Sequence, residues 1–134
     1  MENEVRIAIN SDQDIVIARQ QGRTLASKLG FNGSDLTVIA TAISEVARNI
    51  VEFAGKGELA LTPIQQSHKQ GLMVVAHDDG PGIPNIQLAL QDGFSTTASL
   101  GLGLPGSRRL MDEFTIVSAV GKGTTVTMRK WVRG

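Results

Sequence analysis

At 134 residues the chain is close to the roughly 150 of an ordinary domain, so a single domain, residues 1–134, is expected and a second is excluded. Thirteen Lys and Arg balance thirteen Asp and Glu, and there is no cysteine. No basic field is therefore available for a nucleic-acid backbone, and disulfides and thiolate metal sites are ruled out. The aromatic residues Phe31, Phe53, Phe94, Phe114 and Trp131 are too scattered for a base-stacking platform, and His68 and His77 alone do not make a His-rich zinc site. Glu2, Glu4 and Arg6 stand where a secretory leader would be apolar, and no run approaches the roughly 18 apolar residues that span a bilayer. A soluble, cytoplasmic protein with neither membrane nor nucleic acid as partner is expected.

Val5, Ile7 and Ile9 alternate with polar or small residues, which predicts a half-buried strand ending at Asn10 and Ser11. Ile15, Ala18, Leu25 and Leu29 then recur at helical spacing over Asp12 to Leu29, with Gly30 as the stop. Ser34 or Asp35 can cap a second helix reaching about Ala54, where Gly55-Lys56-Gly57 ends it. Strands are predicted at Glu58 to Gln66 and Leu72 to His77, joined by a polar connection containing Gly71. Pro63 makes the first an edge strand or shortens it. Short helices are predicted at Ile83 to Gln91 and Pro105 to Asp112, flanking a Gly, Ser and Thr-rich stretch from Gly93 to Gly103 that suits a lid or binding loop. A hairpin closes the chain: Phe114 to Val120, Gly121-Lys122-Gly123, and Thr124 to Val132. The order predicts an α+β fold, a two-layer sandwich with helices on one face of a mixed, mostly antiparallel sheet.

Glu45 and Asn49 lie one turn apart on the second helix, and a helical wheel puts them opposite the stripe Leu36, Ile39, Ala40, Ile43, Ala47, Ile50 and Ala54, beside Val38 and Ala42. Taken alone the pair reads as a solvated helix face with Glu45 bonded to Arg48. With an anionic ligand nearby, the amide oxygen suits Mg²⁺ and the carboxylate can accept a proton from a nucleophile. Asp78-Asp79-Gly80-Pro81-Gly82 follows the apolar run Leu72 to Ala76 directly. A carboxylate there can accept from an exocyclic amine such as adenine's, and Gly80 and Gly82 let backbone approach a flat ring. Gly101-Leu102-Gly103-Leu104-Pro105-Gly106 has the spacing of a dinucleotide fingerprint but lacks the preceding strand and the following acid. Its freed N–H groups still suit phosphates, with Arg108 and Arg109 one turn on.

Together, Glu45-x-x-x-Asn49, Asp78-x-Gly80-x-Gly82, Gly101-x-Gly103 and Gly121-x-Gly123-Thr124 resemble the N box, G1 box, G2 box and terminal Gly-Thr of the GHKL ATPases. The compact length is similar to that of the anti-sigma-factor serine kinases, and within them to the RsbT-type switch kinases of the stressosome. One departure is Phe53-Ala54 where many relatives have His-Ala. The resemblance implies a Bergerat-type fold, ATP and Mg²⁺ as cofactors, and phosphorylation of Ser or Thr on STAS-domain proteins, with a downstream phosphatase activated when the kinase is released. By position it implies Glu45 as general base, Asn49 as the Mg²⁺ ligand and Asp78 as the adenine reader. It also implies Gly82 under the ring, Gly101 and Gly103 in a lid over the phosphates, and Thr124 in support of the adenine contact; backbone freedom adds Gly80 beside the ring and Gly106 among the phosphate-facing amides. The alternative is an anti-sigma-factor kinase or a nucleotide-gated module that sequesters a sigma factor. A homodimer is left open. The detached ATP-binding domain of a histidine kinase fits less well, since no preceding helix offers a phospho-acceptor histidine.

Overall fold

The computed structural model describes residues 4–82 and 110–133. Along the chain come β1 (Val5–Ile9), α1 (Asp12–Leu29), α2 (Gly33–Phe53), β2 (Gly57–Gln66), β3 (Lys69–Asp78), β4 (Glu113–Ala119) and β5 (Gly123–Trp131). The short helices expected at 83–91 and through most of 105–112 lie outside the described residues.

Both long helices begin and end where local chemistry dictates. At the start of α1 the Asp14 carboxylate reaches back to accept from the Asn10 and Ser11 amides, at 2.8 and 3.2 Å. Gly30, at φ +98°, ends the helix, and its amide and that of Phe31 bond back to Ser27 and Ala26. The cap of α2 is Asn32, not Ser34 or Asp35. Asn32 is the last extended residue, its Oδ1 accepts from the Asp35 amide at 2.9 Å, and Gly33 is already helical.

The sheet order is β1-β2-β3-β5-β4, and every neighbouring pair is antiparallel. The parallel component of the expected mixed sheet is therefore absent among the described residues. Two helices, an even number, separate β1 from β2 and bring the chain back in the reverse direction, and the two remaining hairpins reverse it again. Pro63 sits in an internal strand, not an edge strand. β1 pairs with β2 only as far as Leu61, so at Pro63 that side of β2 is locally unpaired and the missing N–H costs no bond to β1. Gly71 lies inside β3 and not in the connection, which is the turn at Ser67 and His68. It pairs with Trp131, and a Cβ at Gly71 would stand 2.8 Å from the indole, so the ring occupies the space glycine leaves.

Two rows of apolar side chains cross one face of the sheet. One is Ile7, Leu59, Ala76, Val126 and Ile116; the other is Val5, Leu61, Val74, Met128 and Phe114. Ile15, Ala18 and Ala26 of α1 and Ile39, Ile43, Val46, Ala47 and Ile50 of α2 join them in one core cluster. Leu61, Val74 and Met128 are fully buried, each contributing about 1.5–3 kcal/mol. The helices thus cover one face, as expected, and the other face presents Arg6, Glu58, His77 and Val117 to solvent.

Candidate functional site

Asp78 is the last residue of β3, two positions beyond Ala76 and so on the same helix-covered face. Its register partner is Thr124 on β5, whose partner on β4 is Ser118. Where the neighbouring rows are apolar, this one ends in a carboxylate and two hydroxyls. Ser118 Oγ donates to the Gly123 carbonyl at 3.1 Å and lies 2.7 Å from Thr124 Oγ1. The Thr124 proton therefore goes to Ser118, and Thr124 keeps its acceptor lone pairs. Asp78 Oδ1 accepts from the Gly80 amide at 2.9 Å, while Oδ2 makes no hydrogen bond among the described residues.

Glycines close the walls around this carboxylate. A Cβ on Gly57 would stand 2.7 Å from Ile50 Cγ2 and 3.1 Å from Asp78 Cβ, so its absence lets the last turns of α2 come down onto the end of β3. A Cβ on Gly80 would stand 2.6 Å from that of Ala54. Gly82, at φ +81°, has its open side against the Ala119 carbonyl, and Gly123, at φ +92°, against the Asp78 carbonyl. The Gly121 amide donates to the Pro81 carbonyl at 2.8 Å, tying the β4–β5 turn to the loop after β3. Gly80 and Gly82 are thus required by the approach of the chain to itself.

The α2 face carrying Glu45 and Asn49 is not the solvated face that a helical wheel suggests. Ala42 and Val46 on that side are fully buried, because α2 packs against α1 as well as the sheet and its apolar arc is wider than one stripe. The Glu45 side chain is only 18% exposed, and its Oε1 lies 3.0 Å from Arg48 Nη1. Asn49 Nδ2 is a buried nitrogen with no hydrogen-bond partner among the described residues. Such an unmet amide is costly. The two ends of a carboxamide exchange by a half-turn, so Asn49 can present its oxygen to a hard cation instead, and its chemistry fits Mg²⁺.

Asn49 precedes Ile50, which packs over Gly57 beside Asp78, so α2 and the Asp78–Thr124 pair share one end of the molecule. His77 belongs to the opposite face: Nδ1 lies 2.8 Å from Thr125 Oγ1 and Nε2 3.0 Å from Asp79 Oδ1, as a strand-end residue. Gly101, Gly103, Gly106, Arg108 and Arg109 lie outside the described residues. Sequence reasoning missed Ser118 and Gly57, both of which need the strand register before they can be seen. It did not single out Gly123 as the residue that seats the last turn on Asp78, although Gly121-x-Gly123 was visible.

Residues 10–130 match the histidine kinase-like ATPase domain family. The chain is 48% identical over 133 residues to the serine/threonine-protein kinase RsbT of Bacillus subtilis strain 168, covering 99% of this chain and 100% of that one. It is 30% identical over 138 residues to the anti-sigma F factor of Bacillus licheniformis, covering 97% and 93%. Among solved structures, the mycobacterial sensor histidine kinase MprB matches with a TM-score of 0.59 at 20% identity, over 96% of this chain and 99% of that one. The catalytic domain of the histidine kinase ThkA matches at 0.54 and 18%, over 94% and 95%. At these identities the two structures speak for the fold alone. The chain belongs to the histidine kinase-like ATPase domain family, the GHKL ATPases, and within it to the switch and anti-sigma-factor serine kinases.

Proposed function

We propose that this chain is an ATP-dependent protein serine/threonine kinase of the RsbT switch type, acting as one cytoplasmic domain. Its substrates are STAS-domain proteins, and on release from them it activates a phosphatase in a sigma-factor stress response. The observation that carries the reading is the Asp78–Thr124 pair, set on the helix-covered face beneath the end of α2. Asp78 Oδ2 accepts from the adenine amine while Gly80 holds Oδ1, and Thr124 adds acceptor capacity beside it. Asn49, its oxygen turned to Mg²⁺, would hold the cation, which would offset charge on the triphosphate. Glu45, steered by Arg48, takes the proton of the acceptor hydroxyl. Gly101, Gly103 and Gly106 are assigned to the phosphates on sequence alone, as are Gly80 and Gly82 to the ring edge.

Incubation with labelled ATP, Mg²⁺ and candidate STAS proteins tests this directly. Label on a partner serine or threonine is expected. Glu45→Gln should lower transfer by about 10²–10⁴-fold while ATP binding persists. The identity to anti-sigma F factors favours one second reading, a nucleotide-gated module that sequesters a sigma factor, as monomer or homodimer. A partner response that survives Glu45→Gln would select it.

A further inference from the structure

β3 runs from Lys69 to Asp78, which puts its two ends about 30 Å apart at some 3.4 Å per residue. At the Lys69 end, remote from Asp78, a cleft of about 640 Å³ opens between the β2–β3 turn, the segment at Asp112 and the end of β5. His68, Lys69, Gln70, Asp112, Trp131 and Arg133 are among its walls. Its acids are already engaged. Asp112 Oδ1 pairs with Arg133 Nη2 at 2.9 Å and lies 3.8 Å from the buried Lys130 Nζ, and Oδ2 accepts from the Trp131 amide at 2.8 Å. Glu113 Oε2 accepts from the indole Nε1 of Trp131 at 2.9 Å, and Oε1 lies 3.5 Å from Arg129. Neither Lys69 nor His68 has an acidic partner among the described residues.

Lys69 and Arg133 line the cleft with Asp112 and Glu113. Arg133 and the buried Lys130 compensate Asp112, and Arg129 compensates Glu113, which leaves Lys69 as the lining's unpaired cation among the described residues. The indole is fixed as a wall by its bond to Glu113 and by seating against Gly71. One uncompensated ammonium beside a rigid indole and the Gln70 amide offers no convergent set of donors for a free phosphate. It suits a carboxylate flanked by an apolar side chain. We propose that this cleft docks an acidic peptide segment of the protein substrate, with an Asp or Glu carboxylate on Lys69 and a neighbouring apolar side chain against Trp131. The assignment to a substrate rests on the kinase reading. A grip about 30 Å from the adenine-reading end holds the partner without occupying the nucleotide site.

Trp131 is the only tryptophan in the chain, so its fluorescence reports this cleft alone. The full chain, free of nucleotide, is titrated with a ten-residue peptide of Glu and Leu, with its Gln counterpart, and with inorganic phosphate. A saturable change is expected with the Glu peptide. Binding should be about fivefold weaker or more for the Gln peptide and for Lys69→Glu, with ATP affinity unchanged. In phosphotransfer, Lys69→Glu should raise KM for the protein substrate and leave kcat alone. Equal binding of the Glu and Gln peptides, an unaffected Lys69→Glu variant, or saturation by phosphate alone would overturn the proposal. A chain that binds the Glu peptide as expected yet transfers no phosphate loses the kinase reading and keeps the acidic docking site.

Discussion

Asp78 has one carboxylate oxygen committed to Gly80 and one without a partner among the described residues, which makes a sharp substitution available. Asp78→Asn should weaken ATP binding by about 1.5–3 kcal/mol, roughly ten- to a hundredfold, measurable by calorimetry, because an amide nitrogen cannot accept from adenine's amine. Unchanged affinity would discredit the adenine assignment. Ser118→Ala removes the acceptor of the Thr124 hydroxyl and should cost about 1 kcal/mol in a urea unfolding curve. At this scale the sequence was informative about placement: Asp78 stands at a strand end before glycines, and Asn49 one helical turn from Glu45. It was uninformative about Ser118, whose role follows from sitting opposite Thr124. The Glu45–Arg48 bond was legible from spacing, but the burial around it was not, because Ala42 and Val46 are covered through α1 as well as the sheet.

The turn between β4 and β5 is the element that seats Asp78. At Gly123 the backbone is left-handed and the open side faces the Asp78 carbonyl, so Gly123→Ala adds backbone strain to a collision that only a shift of β3 relieves. A loss of about 3 kcal/mol in chemical denaturation is expected, together with weaker ATP binding, whereas Gly121→Ala, with open space around it, carries only the conformational part. Should both variants unfold at the same denaturant concentration, the close approach is not what holds the turn. The elements themselves were readable from periodicity and punctuation. α1 begins and ends as predicted because Ser11, Asp14 and Gly30 all act locally. α2 starts earlier because Asn32, Ser34 and Asp35 all compete for one cap and Asn32, the last extended residue, takes it through the Asp35 amide. Gly71 and Pro63 were misplaced for a related reason. Both look like breaks to a local reading, and both are accommodated by a neighbour, Trp131 in one case and the early end of β1 in the other.

Across the whole molecule, β1 is an edge strand held by β2 and by an ionic chain along its outer face. Glu4 accepts from Arg6 Nε at 2.6 Å and from Thr62 Oγ1 at 3.2 Å, and Arg6 Nη1 reaches Glu58 Oε1 at 2.9 Å. The hydrogen bond from Arg6, more than any other interaction, holds the Glu4 carboxyl below its ordinary 4.5. A carboxyl with a depressed value in the folded state binds fewer protons there than when unfolded, so its stabilising effect is full above pH 4.5 and is lost as pH falls through the lowered value. The melting temperature of the native chain should exceed that of Glu4→Gln by a constant margin above about pH 5.5, and the margin should close in acid. A margin independent of pH would remove Glu4 from the account. The antiparallel order was only partly legible, since direction depends on counting reversals: two helices set β2 against β1 and hairpins set β3 against β2 and β5 against β4, but the link from β3 to β4 runs through residues 83–109, outside the described residues.

That order has a consequence for the birth of the protein. The strand that completes the sheet beside β3 is β5, made after β4, which takes the rim. Asp78 meets Thr124 only after β4 and the start of β5 have left the ribosome, so a nascent chain that stops short of β5 has the carboxylate without its partner strand.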